Sequence, residues 1–208
     1  MRYKTDATPK PTSFGFSYRS SVNTEYDGDL KFTEATAIFQ IMDNATVGAT
    51  SEIEFASLAQ VGVAVEVTPK LVVEVDAVQM GWSVFDQLII TAENPAFTDT
   101  LPENYDDALS FRLGVEYDLS DKLVLRGDYV RDTAPGPDET LGPILPDADR
   151  NGISVGAGWE FMPCTTLDIG YLIMMFEDRS TNGKSLMGFN GTYKNTAHLF
   201  GINISKQL

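Results

Sequence analysis

Residues 122–132 read Lys122-Leu-Val-Leu-Arg-Gly-Asp-Tyr-Val-Arg-Asp132, and residues 153–161 read Ile153-Ser-Val-Gly-Ala-Gly-Trp-Glu-Phe161. In the first segment Leu123, Leu125 and Tyr129 alternate with Arg126 and Asp128. In the second, Ile153, Val155, Ala157, Trp159 and Phe161 alternate with Ser154, Gly156, Gly158 and Glu160. Successive side chains of a strand point to opposite faces, so a period of two sorts each segment into an apolar and a polar side. A short turn precedes the first segment, and a Pro-rich, acidic loop joins the two. Two-faced strands of about ten residues, tied by a tight turn at one end and a long loop at the other, are what a membrane β-barrel requires.

The plan repeats along the chain. Phe14, Phe16 and Tyr18 alternate with Gly15, Ser17 and Arg19, and this strand is read as continuing through Tyr26 towards Phe32. A loop is predicted over Ala37 to Ser51. The next strand spans Ile53 to Val67, with Val61, Val63, Val65 and Val67 on one side, and it turns at Thr68-Pro-Lys70. Leu71, Val73, Val75 and Ala77 follow opposite Val72, Glu74 and Asp76, in a strand predicted to run past Trp82 and Phe85. Leu109 to Tyr117, Leu167 to Met175 and Phe200 to Ile204 complete a set of about eight strands. Connections alternate between tight turns (near Thr68, Leu119 and Met162) and long loops. Barrels of the bacterial outer membrane place short turns in the periplasm and long loops outside. The expected fold is an all-β, antiparallel, up-and-down transmembrane barrel forming one domain over residues 1–208.

A net charge of -15, from 30 acidic and 15 basic residues, argues against nucleic acid as a partner. No run approaches the 18 or so apolar residues of a spanning helix. One cysteine and one histidine exclude an internal disulfide and make the usual zinc sites improbable. No phosphate loop, metal cluster or defensible Ser/His/Asp order is present, so neither an enzyme nor a cofactor is expected. The first residues lack the apolar core of a secretory signal, which predicts that the sequence is a mature chain or a part of its gene product.

The two faces differ in charge. Arg19, Glu66, Glu74, Asp76, Arg112, Glu116, Arg126, Asp128, Glu160 and Asp168 all fall on the polar side. A cation on the lipid face costs about 2–4 kcal/mol at mid-bilayer, so this side is expected to line the interior. Tyr18, Tyr117, Tyr129, Trp159 and Phe161 lie near strand ends on the other side, as an interfacial aromatic girdle would. A soluble sandwich or lipocalin-like barrel with its apolar face inward fits the same alternation. The Gly-rich charged face and the placement of the aromatics favour the membrane.

Leu125-Arg-Gly-Asp-Tyr129, Asp132-Thr-Ala-Pro-Gly-Pro-Asp138, Leu145-Pro-Asp-Ala-Asp-Arg150 and Ser154-Val-Gly-Ala-Gly158 resemble the FadL/TodX family of outer-membrane transporters. Tyr18-Arg-Ser20, Gly28-Asp29, Thr68-Pro-Lys70, Trp82-Ser-Val-Phe85 and Arg112-Leu-Gly-Val-Glu-Tyr117 fit it in the same order. The resemblance covers nearly the whole chain. It implies a 14-stranded barrel with a lumenal N-terminal hatch, of which this chain is the C-terminal eight strands. It further implies passive passage of long-chain fatty acids or similar hydrophobic molecules. The steps would be capture at the surface, transfer to a lumenal pocket and diffusion out through a gap in the wall. The final residues, Ser205-Lys-Gln-Leu208, depart from the aromatic end usual for such barrels. An open sheet in lipid leaves unpaired backbone groups costing several kcal/mol apiece. The strands are therefore expected to close as a small barrel, to meet a partner such as the missing N-terminal segment, or to be a fragment. A small closed structural or adhesive barrel without transport is the alternative function.

The candidate ligand contacts are the greasy loop residues Ile38, Phe39, Ile41 and Met42, with Arg112 and Arg126 as partners for a carboxylate headgroup. Glu74, Asp76, Glu116, Asp128, Glu160 and Asp168 are assigned to a lumenal charge network. Cross-strand ion pairing competes with headgroup binding for the two arginines. Asp147 with Asp149 is a lesser candidate for a divalent ion. Met174, Met175 and Phe176 read as plain wall, and Cys164 as a solvent-facing turn residue.

Overall fold

A computed structural model of the chain describes residues 2–5, 10–31, 46–143 and 146–206. Ile38, Phe39, Ile41 and Met42 lie outside the described residues. The strands are β1 (Arg2–Thr5), β2 (Thr12–Arg19), β3 (Val22–Lys31), β4 (Thr46–Phe55), β5 (Ser57–Thr68), β6 (Leu71–Gly81), β7 (Gln87–Ala92), β8 (Asp99–Pro102), β9 (Ala108–Ser120), β10 (Leu123–Asp132), β11 (Arg150–Met162), β12 (Thr165–Phe176), β13 (Arg179–Ser180), β14 (Thr192–Tyr193) and β15 (Thr196–Lys206). Nine of them form one antiparallel sheet in the order β1-β2-β5-β6-β9-β10-β11-β12-β15, and neighbours in that order are also consecutive in the up-and-down path. Among the described residues β1 and β15 each have one neighbour, so the sheet is open and self-closure is not observed.

The tight turns are set by their hydroxyl residues. Thr68 Oγ1 accepts from the Lys70 backbone N–H at 3.2 Å, and Ser120 Oγ from that of Lys122 at 3.3 Å. Such local bonds compete with the ladder and stop it. At the third turn Cys164 takes a positive φ of 58°, and its N–H reaches Glu160 Oε1 at 3.1 Å. Glu160 therefore holds a turn. Cys164 is exposed there, at the end of the sheet that carries the tight turns. In cells carrying the protein, a membrane-impermeant maleimide is expected to label it only after the outer membrane is opened. Labelling of intact cells would invert the topology.

The apolar side is the outer side. Phe16, Val61, Val75, Phe111, Val155, Ile169 and Ile202 are all more than half exposed. A water-soluble sandwich would pack these positions against a second layer; here a contiguous belt of valine, isoleucine, leucine and aromatic side chains stands open, far beyond the patch a soluble monomer tolerates. The small buried core, Val78, Ala108, Leu141 and Ala148, sits instead at the end bearing the long loops.

Two expectations about strand length need correction. The second predicted strand does not begin at Ile53: β4 already starts at Thr46, within the predicted loop, and pairs with β3 from Val22↔Phe55 to Lys31↔Thr46. Its small residues Gly48, Ala49, Thr50 and Ser51 carry little hydrophobic signal, and the partner strand supplies the ladder. The third predicted strand ends at Gly81. The Asp107 carboxylate accepts from the Ser83 N–H at 3.1 Å and from Gln79 Nε2 at 3.2 Å, holding a 3₁₀ turn at Trp82–Val84. The chain then leaves the wall as β7. Together β3-β4-β7-β8 form a second sheet standing on the outer rim.

Candidate functional site

Register pairs share a face, which places the inward side chains in rings. The outermost ring runs Gln60, Val78, Ser110, Asp132, Arg150, Phe176 across β5, β6, β9, β10, β11 and β12. The next runs Gly62, Asp76, Arg112, Val130, Gly152, Met174. Below it follow Ala64, Glu74, Gly114, Asp128, Ser154 and Leu172. Long charged side chains lie over glycines of neighbouring strands. A Cβ at Gly62 would fall 2.1 Å from Asp76 Oδ1, and one at Gly158 would fall 2.7 Å from Asp168 Oδ1 and 3.3 Å from Arg126 Nη1. The glycines thus leave room for the charges.

Through that space Arg126 spans β11. Its Nε donates to Glu116 Oε2 at 2.8 Å and its Nη1 to Asp168 Oδ1 at 3.0 Å. Asp128 accepts from Ser154 Oγ at 2.6 Å. Arg112 is different. It faces Asp76 in register, yet among the described residues its only polar partner is Ser110 Oγ, at 3.4 Å from Nε. Glu74, Asp76, Arg112 and Asp128 line one concavity of about 470 Å³ with Val130, Leu172 and Met174.

A second chamber, of about 630 Å³, lies at the outer mouth and is mostly apolar. Ile53, Phe55, Met80, Trp82, Phe85, Tyr105 and Phe176 line it, with Arg150 and Asp147 as its charged groups. Phe85 and Tyr105 meet edge to face at 5.2 Å between ring centres, a favoured aromatic geometry. Burial raises the pKa of Asp147 from its ordinary value and also raises those of Glu103 and Tyr105. The guanidinium of Arg150 lies 5.5 Å from the Phe176 ring centre.

Thr133, Pro135, Pro146 and Asp147 of the Pro-rich, acidic loop line this chamber. Arg131 binds Asp149 at 2.9 Å and Glu177 at 2.6 Å; Arg179 binds Asp138 at 2.8 Å. Thr140, Leu141 and Ala148 of the same loop are buried. Asp147 and Asp149 face different guanidiniums, Arg150 and Arg131, and no cluster of three acidic, His or Cys groups fit for a metal occurs among the described residues.

Of the residues singled out in sequence, the fold brings Glu116, Arg126 and Asp168 into one cluster and Glu74, Asp76, Arg112 and Asp128 into one cavity. Glu160 stands apart at the tight turn of Cys164. Met174 and Phe176 are not plain wall: alternation turns both inward, one into each chamber, while Met175 points out. The outer chamber was missed because its five aromatics come from four separate segments. The available signal was that Trp82 directly follows β6 and Phe176 ends β12.

The sequence pattern of the outer membrane protein transport protein family (OMPP1/FadL/TodX) matches residues 7–207. The chain is 24% identical over 206 residues to a long-chain fatty acid transport protein of Escherichia coli, a match covering 94% of this chain and 46% of that protein. It is 29% identical over 205 residues to outer membrane protein P1 of Haemophilus influenzae, covering 92% of this chain and 43% of that one. In three dimensions it superposes on a Pseudomonas aeruginosa FadL homologue with a TM-score of 0.82 at 18% identity, over 99% of this chain and 51% of the other. A monoaromatic hydrocarbon channel, CymD, gives 0.67 at 19% identity over 100% and 50%. The chain thus spans about half the length of the relatives it matches. Matched from residue 7 to residue 207 and shaped with its apolar face outward, the chain belongs to the OMPP1/FadL/TodX family of bacterial outer-membrane proteins.

Proposed function

We propose that this chain is part of an outer-membrane channel through which long-chain fatty acids or similar hydrophobic molecules diffuse passively. The observation that carries the reading is the aromatic chamber at the outer mouth, about 630 Å³ and open next to a wetter cavity of about 470 Å³. Both fall in the roughly 300–1,000 Å³ range of small-molecule sites. Apolar surface draws the tail out of water at about 25 cal/mol per Å², and no energy-coupling site is needed for downhill flow. The names of the relatives, a fatty acid transport protein and a hydrocarbon channel, support the same class of cargo.

Arg112 is the inner headgroup contact in this reading. Its guanidinium lacks a carboxylate partner among the described residues, so a ligand carboxylate takes a vacant place on it. Arg126 is already held by two carboxylates and serves to tie β9, β10 and β12 together. The residues Ile38, Phe39, Ile41 and Met42 extend the apolar capture surface. The open edges at β1 and β15 call for further strands of the same barrel, because unpaired backbone in lipid costs several kcal/mol per group. The test is fatty-acid uptake by a transporter-deficient bacterial strain carrying the full gene product. Restored uptake supports the channel; an assembled barrel that restores none overturns it.

A further inference from the structure

The outer aromatic chamber and the inner concavity meet at one ring of side chains, and one ion pair in that ring belongs to both. Arg150 lines the outer chamber; Asp132 lines the inner one. They are register partners on β11 and β10, and Arg150 Nε donates to Asp132 Oδ2 at 3.0 Å. A molecule moving inward from the aromatic chamber therefore meets this pair at the boundary.

The pair is not built as a closed structural bridge. Asp132 is 8% exposed, yet its Oδ1 is buried and has no hydrogen-bond partner among the described residues. A buried carboxylate oxygen left unmet is costly, and a permanent buried bridge is normally satisfied on both oxygens. On the other side, Arg150 has five N–H donors and meets two acceptors, Asp132 and, at a long 3.4 Å from Nη1, Asp147 Oδ1. Its remaining face rests on the Phe176 ring. Among the described residues, donors thus stay available on a cation inside a mostly apolar chamber, whose other charged group is Asp147. The group best fitted to them is a planar carboxylate on an apolar tail.

We propose that the Arg150–Asp132 pair is a charge gate between the two chambers, parted by a ligand carboxylate that takes the place of Asp132 on the guanidinium. The displaced Asp132 then turns into the wet concavity that it already lines, where Arg112 stands one ring further in. The gate favours acids over neutral molecules of the same length, since a neutral ligand cannot replace a carboxylate on the cation. This inference rests on the channel function proposed above.

The test compares hexadecanoic acid with its methyl ester in proteoliposomes containing the full gene product, measuring flux of each and, with every tryptophan but Trp82 replaced by Phe, binding of a brominated form of the ester to the outer chamber by quenching of Trp82. Arg150→Met is expected to lower the acid-to-ester flux ratio at least tenfold while ester binding stays within twofold of the parent. Arg150→Lys should keep most of the ratio. Asp132→Asn, which leaves the guanidinium in place without its partner, should raise acid flux. If Arg150→Met binds and passes the ester but leaves the ratio unchanged, the gate is wrong and the channel stands. If the parent protein binds and passes neither compound, the channel reading itself falls and the gate with it.

Discussion

Val155→Lys is expected to cost about 2–4 kcal/mol of barrel stability, whereas Ser154→Lys, one residue away, is expected to cost little or nothing. Val155 sits at the middle of β11, is 58% exposed and points away from the concavity. A lysine there places its ammonium in hydrocarbon near the bilayer midplane, where there is no counter-charge. Ser154 points the other way. Its hydroxyl already donates to Asp128 Oδ2 at 2.6 Å, and Asp128 faces it in register. A lysine at that position finds a carboxylate and water. Denaturant-dependent unfolding of the full gene product in lipid vesicles reads both numbers. Equal costs at the two positions would mean that the sheet does not separate lipid from lumen. A larger cost at Ser154 would reverse the faces, and with them the family's mode of spanning a membrane.

That contrast between adjacent residues was legible in the sequence, because it depends only on the period of two. The strand cores carried clean alternation, and the tight turns carried hydroxyl and Pro signals, so the wall and its faces followed from local chemistry. Pairing of Glu116 with Arg126 followed as well, since both sit on adjacent strands joined by a tight turn. The second pairing of Arg126 did not. It crosses a whole strand to Asp168, which is possible only because Gly158 lies between them without a side chain. Sequence spacing shows neighbours and not reach across a glycine. The rim sheet was hidden for another reason: Thr46 to Ser51 has weak hydrophobicity, and its strand conformation comes from β3 beside it. Arg150 stood within the quoted Leu145–Arg150 motif but was not marked as a site. Its importance arises from a boundary between two cavities, and that boundary exists only once five strands are side by side.

Replacing Phe55 and Phe176 together by serine is expected to weaken binding of a hydrophobic molecule to the outer chamber about 30-fold. Both rings line that chamber, Phe55 from the rim sheet and Phe176 from the end of β12. If a bound tail covers about 40 Å² of each ring, losing both removes about 80 Å² of apolar contact. At about 25 cal/mol per Å² that is roughly 2 kcal/mol, which corresponds to the stated change in Kd. Phe55 is 41% exposed in the unliganded protein, so its loss leaves no sealed cavity in a core. Trp82 sits in the same chamber and Trp159 on the lipid face. With every other tryptophan of the full gene product, Trp159 included, replaced by Phe, quenching of Trp82 by a brominated fatty acid reports this chamber. Met174→Ser, in the inner concavity, is the matched control and should leave the outer affinity unchanged. An affinity untouched by the double phenylalanine change but reduced by Met174→Ser would move the capture step inward. The outer aromatics would then have no part in drawing ligand from the surface, because tail burial rather than headgroup pairing supplies most of the attraction at the mouth.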